Sequence, residues 1–214
     1  MTIKFSLSDQ APESAPVPCI VVGVFEERVL TAAAARVDDK SGGAIKRLLE
    51  SGDVAGKSGS TQLLFVLAGV AAPRVVVVGL GEQKKFDGAR FARACNEAAR
   101  VLKGLPIDSA VSYLTEVDVP GRDAAWAVRT AAIATDAQAY KYTATFKPRE
   151  KSKTPEFAAL AFAAPAAAAP ALLTANGVAA GVLFARELGN LPPNICTPRT
   201  SPRKRKSSHR SIPV

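Results

Sequence analysis

The sequence predicts an α/β fold, a mixed and largely parallel sheet flanked by helices. Three observations carry this. Cys19 to Phe25 and Arg74 to Leu80 are uninterrupted apolar runs, as expected of strands covered on both faces. Strand patterns alternate along the chain with helical ones. The composition, 48% hydrophobic with only 6% aromatic residues, suits an Ala/Val-rich soluble protein.

Taken in order, Ile3, Phe5 and Leu7 alternate with polar residues and predict a half-buried strand. Pro12, Pro16 and Pro18 mark a loop before the Cys19–Phe25 strand. Ser41 precedes a short helix whose Ile45, Leu48 and Leu49 share one face, and Gly52 ends it. Gln62–Leu67 and Arg74–Leu80 are two further strands. A long helix follows from about Asp87 to Lys103, with Phe91, Cys95, Ala98 and Leu102 on its apolar face. After a strand near Ser109–Leu114, a second long helix is expected to begin at Pro120, since proline suits a first turn. Its inward stripe would be Trp126, Thr130, Ile133, Ala137 and Tyr140. Residues 147–155 read as a charged loop, Glu156–Phe162 as a strand, and Ala169–Leu188 as a last helix. No internal repeat is present.

The 214 residues carry a net charge of +9, but its distribution matters more than its size. Residues 199–214 hold six of the 28 Lys/Arg and none of the 19 acids, which leaves the preceding body at +3. The tail segment Arg203-Lys-Arg-Lys206 could contact phosphates or act as a targeting address. Its lack of apolar residues predicts disorder. Cys19, Cys95 and Cys196 lie far apart and form no C-x-x-C pair, so buried, reduced thiols are expected. Met1 to Ala15 has no apolar h-region and does not read as a secretory signal. Phe157 to Ala185 lacks any charge and is long enough to span a bilayer. Pro165, Pro170, Asn176 and abundant alanine favour a strand followed by a buried helix instead.

Motifs for chemistry are weak. Gly52-Asp-Val-Ala-Gly-Lys-Ser58 has one residue too few between its glycines for a phosphate-binding loop, and it precedes a strand rather than following one. It reads as a turn. Gly79-Leu-Gly81 lacks the third glycine of a dinucleotide fingerprint. The single histidine, His209, sits in the tail, so the body holds no His-based triad. Glu26-Glu27 and Asp38-Asp39 stand as isolated carboxylate pairs, expected at solvated turns or strand ends. No residue is assigned a catalytic, cofactor-binding or metal-ligating role.

The most specific stretch is Ala185-Arg-Glu-Leu-Gly-Asn-Leu-Pro-Pro-Asn-Ile-Cys-Thr-Pro198. It predicts a helix end capped by Gly189 and Asn190, residues that tolerate a left-handed backbone, and stopped by Pro192 and Pro193. This stretch closely resembles the entry into the catalytic domain of the leucyl (cytosol) aminopeptidases. Gly52 to Leu64, Val75 to Gly81 and Tyr140 to Lys147 resemble segments of that family's N-terminal domain. The resemblance covers residues 1–198.

It implies a macro-like, non-catalytic domain over 1–165, a linker helix and hinge over 166–198, and a disordered basic tail over 199–214. The family is a cytoplasmic di-metal exopeptidase using two divalent ions, manganese or zinc, and it assembles as hexamers. Its ligands are a lysine and several Asp/Glu, in motifs such as Asn-Thr-Asp-Ala-Glu-Gly-Arg beyond the linker, and none of these motifs occurs here. The expectation is therefore no cofactor in this chain and no peptidase activity alone. Possible partners are further copies of the chain and DNA, through a basic surface or the tail, and no membrane. The alternative reading is a nucleic-acid-binding module. At Arg199 the composition changes abruptly, which suggests a frameshift or a truncated reading frame.

Overall fold

The computed structural model describes residues 3–142, 145 and 154–196. Residues 147–153 of the charged loop expected over 147–155, and the tail over 199–214, lie outside the described residues. Among the described residues six strands form one sheet: β1 (Lys4–Ser8), β2 (Ile20–Val24), β3 (Thr61–Phe65), β4 (Arg74–Gly79), β5 (Ser109–Ser112) and β6 (Ala159–Ala163). Their spatial order is β1-β6-β5-β2-β4-β3, and every pairing is parallel except β3 on β4. The mixed, largely parallel sheet is as expected from the apolar runs.

Five helices cover it: α1 (Ala32–Lys40), α2 (Ala44–Ser51), α3 (Gly88–Gly104), α4 (Ala124–Ala139) and α5 (Ala169–Asn190). The two-residue period of a strand sorts the core into two layers. From β2, Ile20, Val22 and Val24 pack with Val37 of α1 and Ile45 and Leu49 of α2. Cys19 and Val21 point the other way, into a layer with Phe91 of α3, Val128 of α4 and Ala175 of α5. The sheet is thus the middle of three layers.

Several expectations are corrected. Helix α1 has no counterpart in the sequence reading; its signal is Thr31 before four alanines, with the Thr31 hydroxyl accepting from the Ala34 amide. Helix α4 begins at Ala124, not Pro120. Gly121 sits at φ +71°, and Asp123 caps the helix by accepting from the Trp126 amide at 2.7 Å. The α4 stripe is also rotated. Ala127, Val128, Ala131, Ala132, Ala134 and Thr135 are the buried residues, because α4 lies between α3 and α5 and only small side chains allow both approaches.

Helix α5 is not a buried helix. Ala171, Ala175 and Ala179 form its one buried stripe. Along the helix Leu173, Val178 and Val182 are 76%, 41% and 37% exposed. It is long and apolar enough to cross a membrane by composition, yet this stripe packs it onto the domain. Its end differs from expectation too. Gly189 and Asn190 remain helical, and Leu191, held extended ahead of Pro192, is the cap.

Candidate functional site

The motif candidates resolve into structural roles. Gly52, at φ +84°, ends α2, and Gly52–Ser58 is part of the turn into β3. Its Gly56 is required by packing: a Cβ there would stand 2.3 Å from the Phe25 carbonyl oxygen. Gly79 is similarly crowded, with a would-be Cβ 2.2 Å from the Lys57 oxygen. The apparent phosphate loop is thus one strand-end turn wedged against another.

Glu26-Glu27 lies at a turn, where Glu27 and Arg28 both adopt left-handed backbone with φ of 58° and 64°. Asp38 departs from expectation. It lies in α1 and is only 1% exposed. Its carboxylate accepts from the Ile45 and Lys46 amides at 2.8 and 2.9 Å, so it caps α2, and the Lys46 ammonium stands at 3.4 Å. Burial pushes the Cys19 thiol up to about 12 and raises Cys95 further, which suppresses the reactive thiolate. Among the described residues no three His, Cys, Asp or Glu converge as metal ligands, so a di-metal centre does not fit these residues.

The structure does build a polar clamp, at the end of α5. The Tyr140 hydroxyl donates to Glu187 Oε1 at 3.0 Å and accepts from Asn190 Nδ2 at 2.9 Å. Arg186 donates to the Ala137 carbonyl at 3.0 Å, and its guanidinium lies 5.4 Å from the centroid of the Tyr140 ring. Lys103 of α3 donates to the Gln138 carbonyl at 2.7 Å. Three residues of the Ala185–Pro198 stretch therefore grip the carboxyl end of α4. Beyond them the Ile195 and Cys196 amides both donate to the Pro192 carbonyl in a compact turn. Sequence reading singled out this stretch but gave Asn190 a backbone role; its side chain does the work instead. Tyr140 was read as inward-facing and is the centre of the clamp.

Helix α5 thus leaves several large apolar side chains uncovered ahead of a fixed end. The sequence profile described as "Cytosol aminopeptidase family, N-terminal domain" matches residues 21–147. The chain belongs to the cytosol aminopeptidase family. Within that family, the probable cytosol aminopeptidase of Xanthomonas oryzae pv. oryzae is 49% identical over 198 residues, 92% of this chain. The chain spans only 40% of that relative's length. Among solved structures, a tomato leucine aminopeptidase mutant superposes with a TM-score of 0.71 at 20% identity, covering 93% of this chain and 40% of its own. The macrodomain of Mycobacterium tuberculosis DarG superposes with a TM-score of 0.55 at 12% identity, over 76% of this chain and 99% of that domain. At these identities both likenesses speak to fold alone. The macro-like architecture belongs to the N-terminal domain of the cytosol aminopeptidase family.

Proposed function

We propose that these 214 residues act as the non-catalytic N-terminal domain of a metal-dependent aminopeptidase, with α5 as the element that docks the peptidase half. The single observation that supports this most is the exposure of the large apolar side chains Leu173, Val178 and Val182 along α5, whose far end is held by the Tyr140 clamp. A surface of that kind on a helix otherwise anchored by alanines calls for a partner. In this reading residues 1–165 form the domain, 166–198 the linker helix and hinge, and 199–214 a basic tail. Two divalent ions, manganese or zinc, would be held by the peptidase half and activate water for attack on the first peptide bond. Assembly into a homo-oligomer in the cytoplasm belongs to the same proposal. A nucleic-acid-binding role finds no support in the described residues or in the names of the matched proteins.

The test is catalytic. The purified 214-residue chain, incubated with Leu-p-nitroanilide and manganese, is expected to release no nitroaniline. Turnover that co-purifies with this chain would contradict the assignment.

A further inference from the structure

The sheet order places a reversal at its centre. Strand β2 has β4 on one side and β5 on the other, all three parallel. The connections leaving the carboxyl ends of β2 and β5 diverge in opposite directions, and in open α/β sheets such a divergence opens a crevice suited to ligands. A cavity of about 340 Å³ lies there, lined from all three strand ends. That volume suits a small molecule, at the lower end of ligand-site sizes.

The chemistry of its walls narrows the ligand. Phe25 and Phe86 meet edge to face at 5.3 Å and supply an apolar surface. No lysine or arginine lines the cavity among the described residues. Most loop amides around it are already hydrogen-bonded: Phe25 to Val29, Glu26 to Gly81, Phe86 to Gln83 and Val117 to Leu114, each at 2.8–3.1 Å. The Thr31 hydroxyl is engaged with the Gly23 carbonyl at 2.7 Å and the Tyr113 hydroxyl with Gln10 at 2.9 Å. What remains is polar at two poles. On one side are Ala32 and Ala33, the first residues of α1, whose amides have no protein partner among the described residues. On the other are the acidic residues Glu116 and Asp118, with the Arg36 guanidinium 3.6 Å from the Glu116 carboxylate. The adjacent turn carries the consecutive left-handed residues Glu27 and Arg28, a costly backbone of the kind found beside functional sites.

A phosphate-bearing ligand needs several free donors and basic side chains, which these walls lack. A purely cationic ligand would leave the α1 amides unmatched. We propose that the crevice binds a free α-amino acid with an apolar side chain. Its carboxylate would take the Ala32 and Ala33 amides, its ammonium would face Glu116 and Asp118, and its side chain would lie on Phe25 and Phe86. The crevice is built from residues 25–120 alone and needs no peptidase half.

Titrating the ¹⁵N-labelled chain with L-leucine, leucinamide, 4-methylpentanoate and ADP, followed by amide resonances, tests this. Leucine is expected to move the resonances of Ala32, Ala33 and Val117. Leucinamide lacks the carboxylate and 4-methylpentanoate the ammonium, so each should bind at least about tenfold more weakly, the loss of one charge-assisted contact. Asp118→Asn, at an exposed position, should weaken leucine similarly while the rest of the spectrum stays unchanged. Leucinamide or 4-methylpentanoate binding as well as leucine would overturn the proposal. So would tighter binding of ADP at these resonances, or no response to leucine. The analogue series uses the unaltered chain, so misfolding of a variant cannot obscure the answer.

Discussion

Helices α4 and α5 are both rich in alanine, yet one is enclosed and the other is not. Six of the 16 residues of α4 are buried, on two sides. Only Ala171, Ala175 and Ala179 of the 22 in α5 are buried, on one side. Composition does not separate the two helices; position does. Helix α4 lies between α3 and α5, whereas nothing in the described structure lies beyond α5. A helix apolar all round belongs in a core, and one left apolar at a surface marks an interface.

That difference can be broken most severely on the enclosed side. Ala132→Leu in α4 forces a larger side chain into a fully closed contact and should cost about 1–3 kcal/mol in urea unfolding, whereas Ala180→Leu on the exposed side of α5 should stay within about 0.5 kcal/mol. Equal effects would mean that the two helices are buried alike. Asp38→Ala tests the opposite face of the sheet. It removes the buried cap of α2 and should cost about 2 kcal/mol. A change near zero would show that the Ile45 and Lys46 amides find other partners.

A subtler test concerns how α5 is held. Tyr140→Phe removes both hydrogen bonds of the clamp while keeping the ring under Arg186. Faster amide hydrogen exchange over residues 186–191, with α3 and the sheet unchanged, is the expected outcome. The smallest effect is chemical. At pH 8 a thiol reagent should label Cys196, which is partly exposed, and spare Cys19 and Cys95 until denaturant is added. For Cys19 the sign follows from its raised value: the folded state prefers the neutral thiol. Its contribution to stability is complete below the ordinary thiol value of 9.0 and declines as pH rises toward about 12.

The sheet was legible because its strands are covered on both faces, so β2 and β4 appear as unbroken apolar runs. The end of α5 was legible because two prolines must end a helix. What escaped the sequence depends on neighbours. The rotated face of α4 follows from a second helix packing against it, and alanine patterns alone carry no direction. Helix α1 was missed because its buried face is carried by the small Ala33 and Ala34 with Val37, and its second half is a charged run of Arg36, Asp38, Asp39 and Lys40. Asp38 looked solvent-exposed for the same reason, although its carboxylate faces the start of α2. The crevice at the strand ends gathers residues from three distant loops, Phe25, Phe86 and Glu116, that no spacing rule connects.

The central claim is that the exposed apolar residues of α5 dock the peptidase half of the family. The most direct measurement expresses the portion of the Xanthomonas oryzae relative beyond its matched region and mixes it with this chain. Light scattering after size exclusion then reads the mass of any complex. The account predicts a complex that forms with the unaltered chain and is lost with the paired substitutions Val178→Asp and Val182→Asp, with an unchanged far-UV circular dichroism spectrum as the check on the fold. A complex indifferent to those substitutions, or none with the unaltered chain, would contradict it.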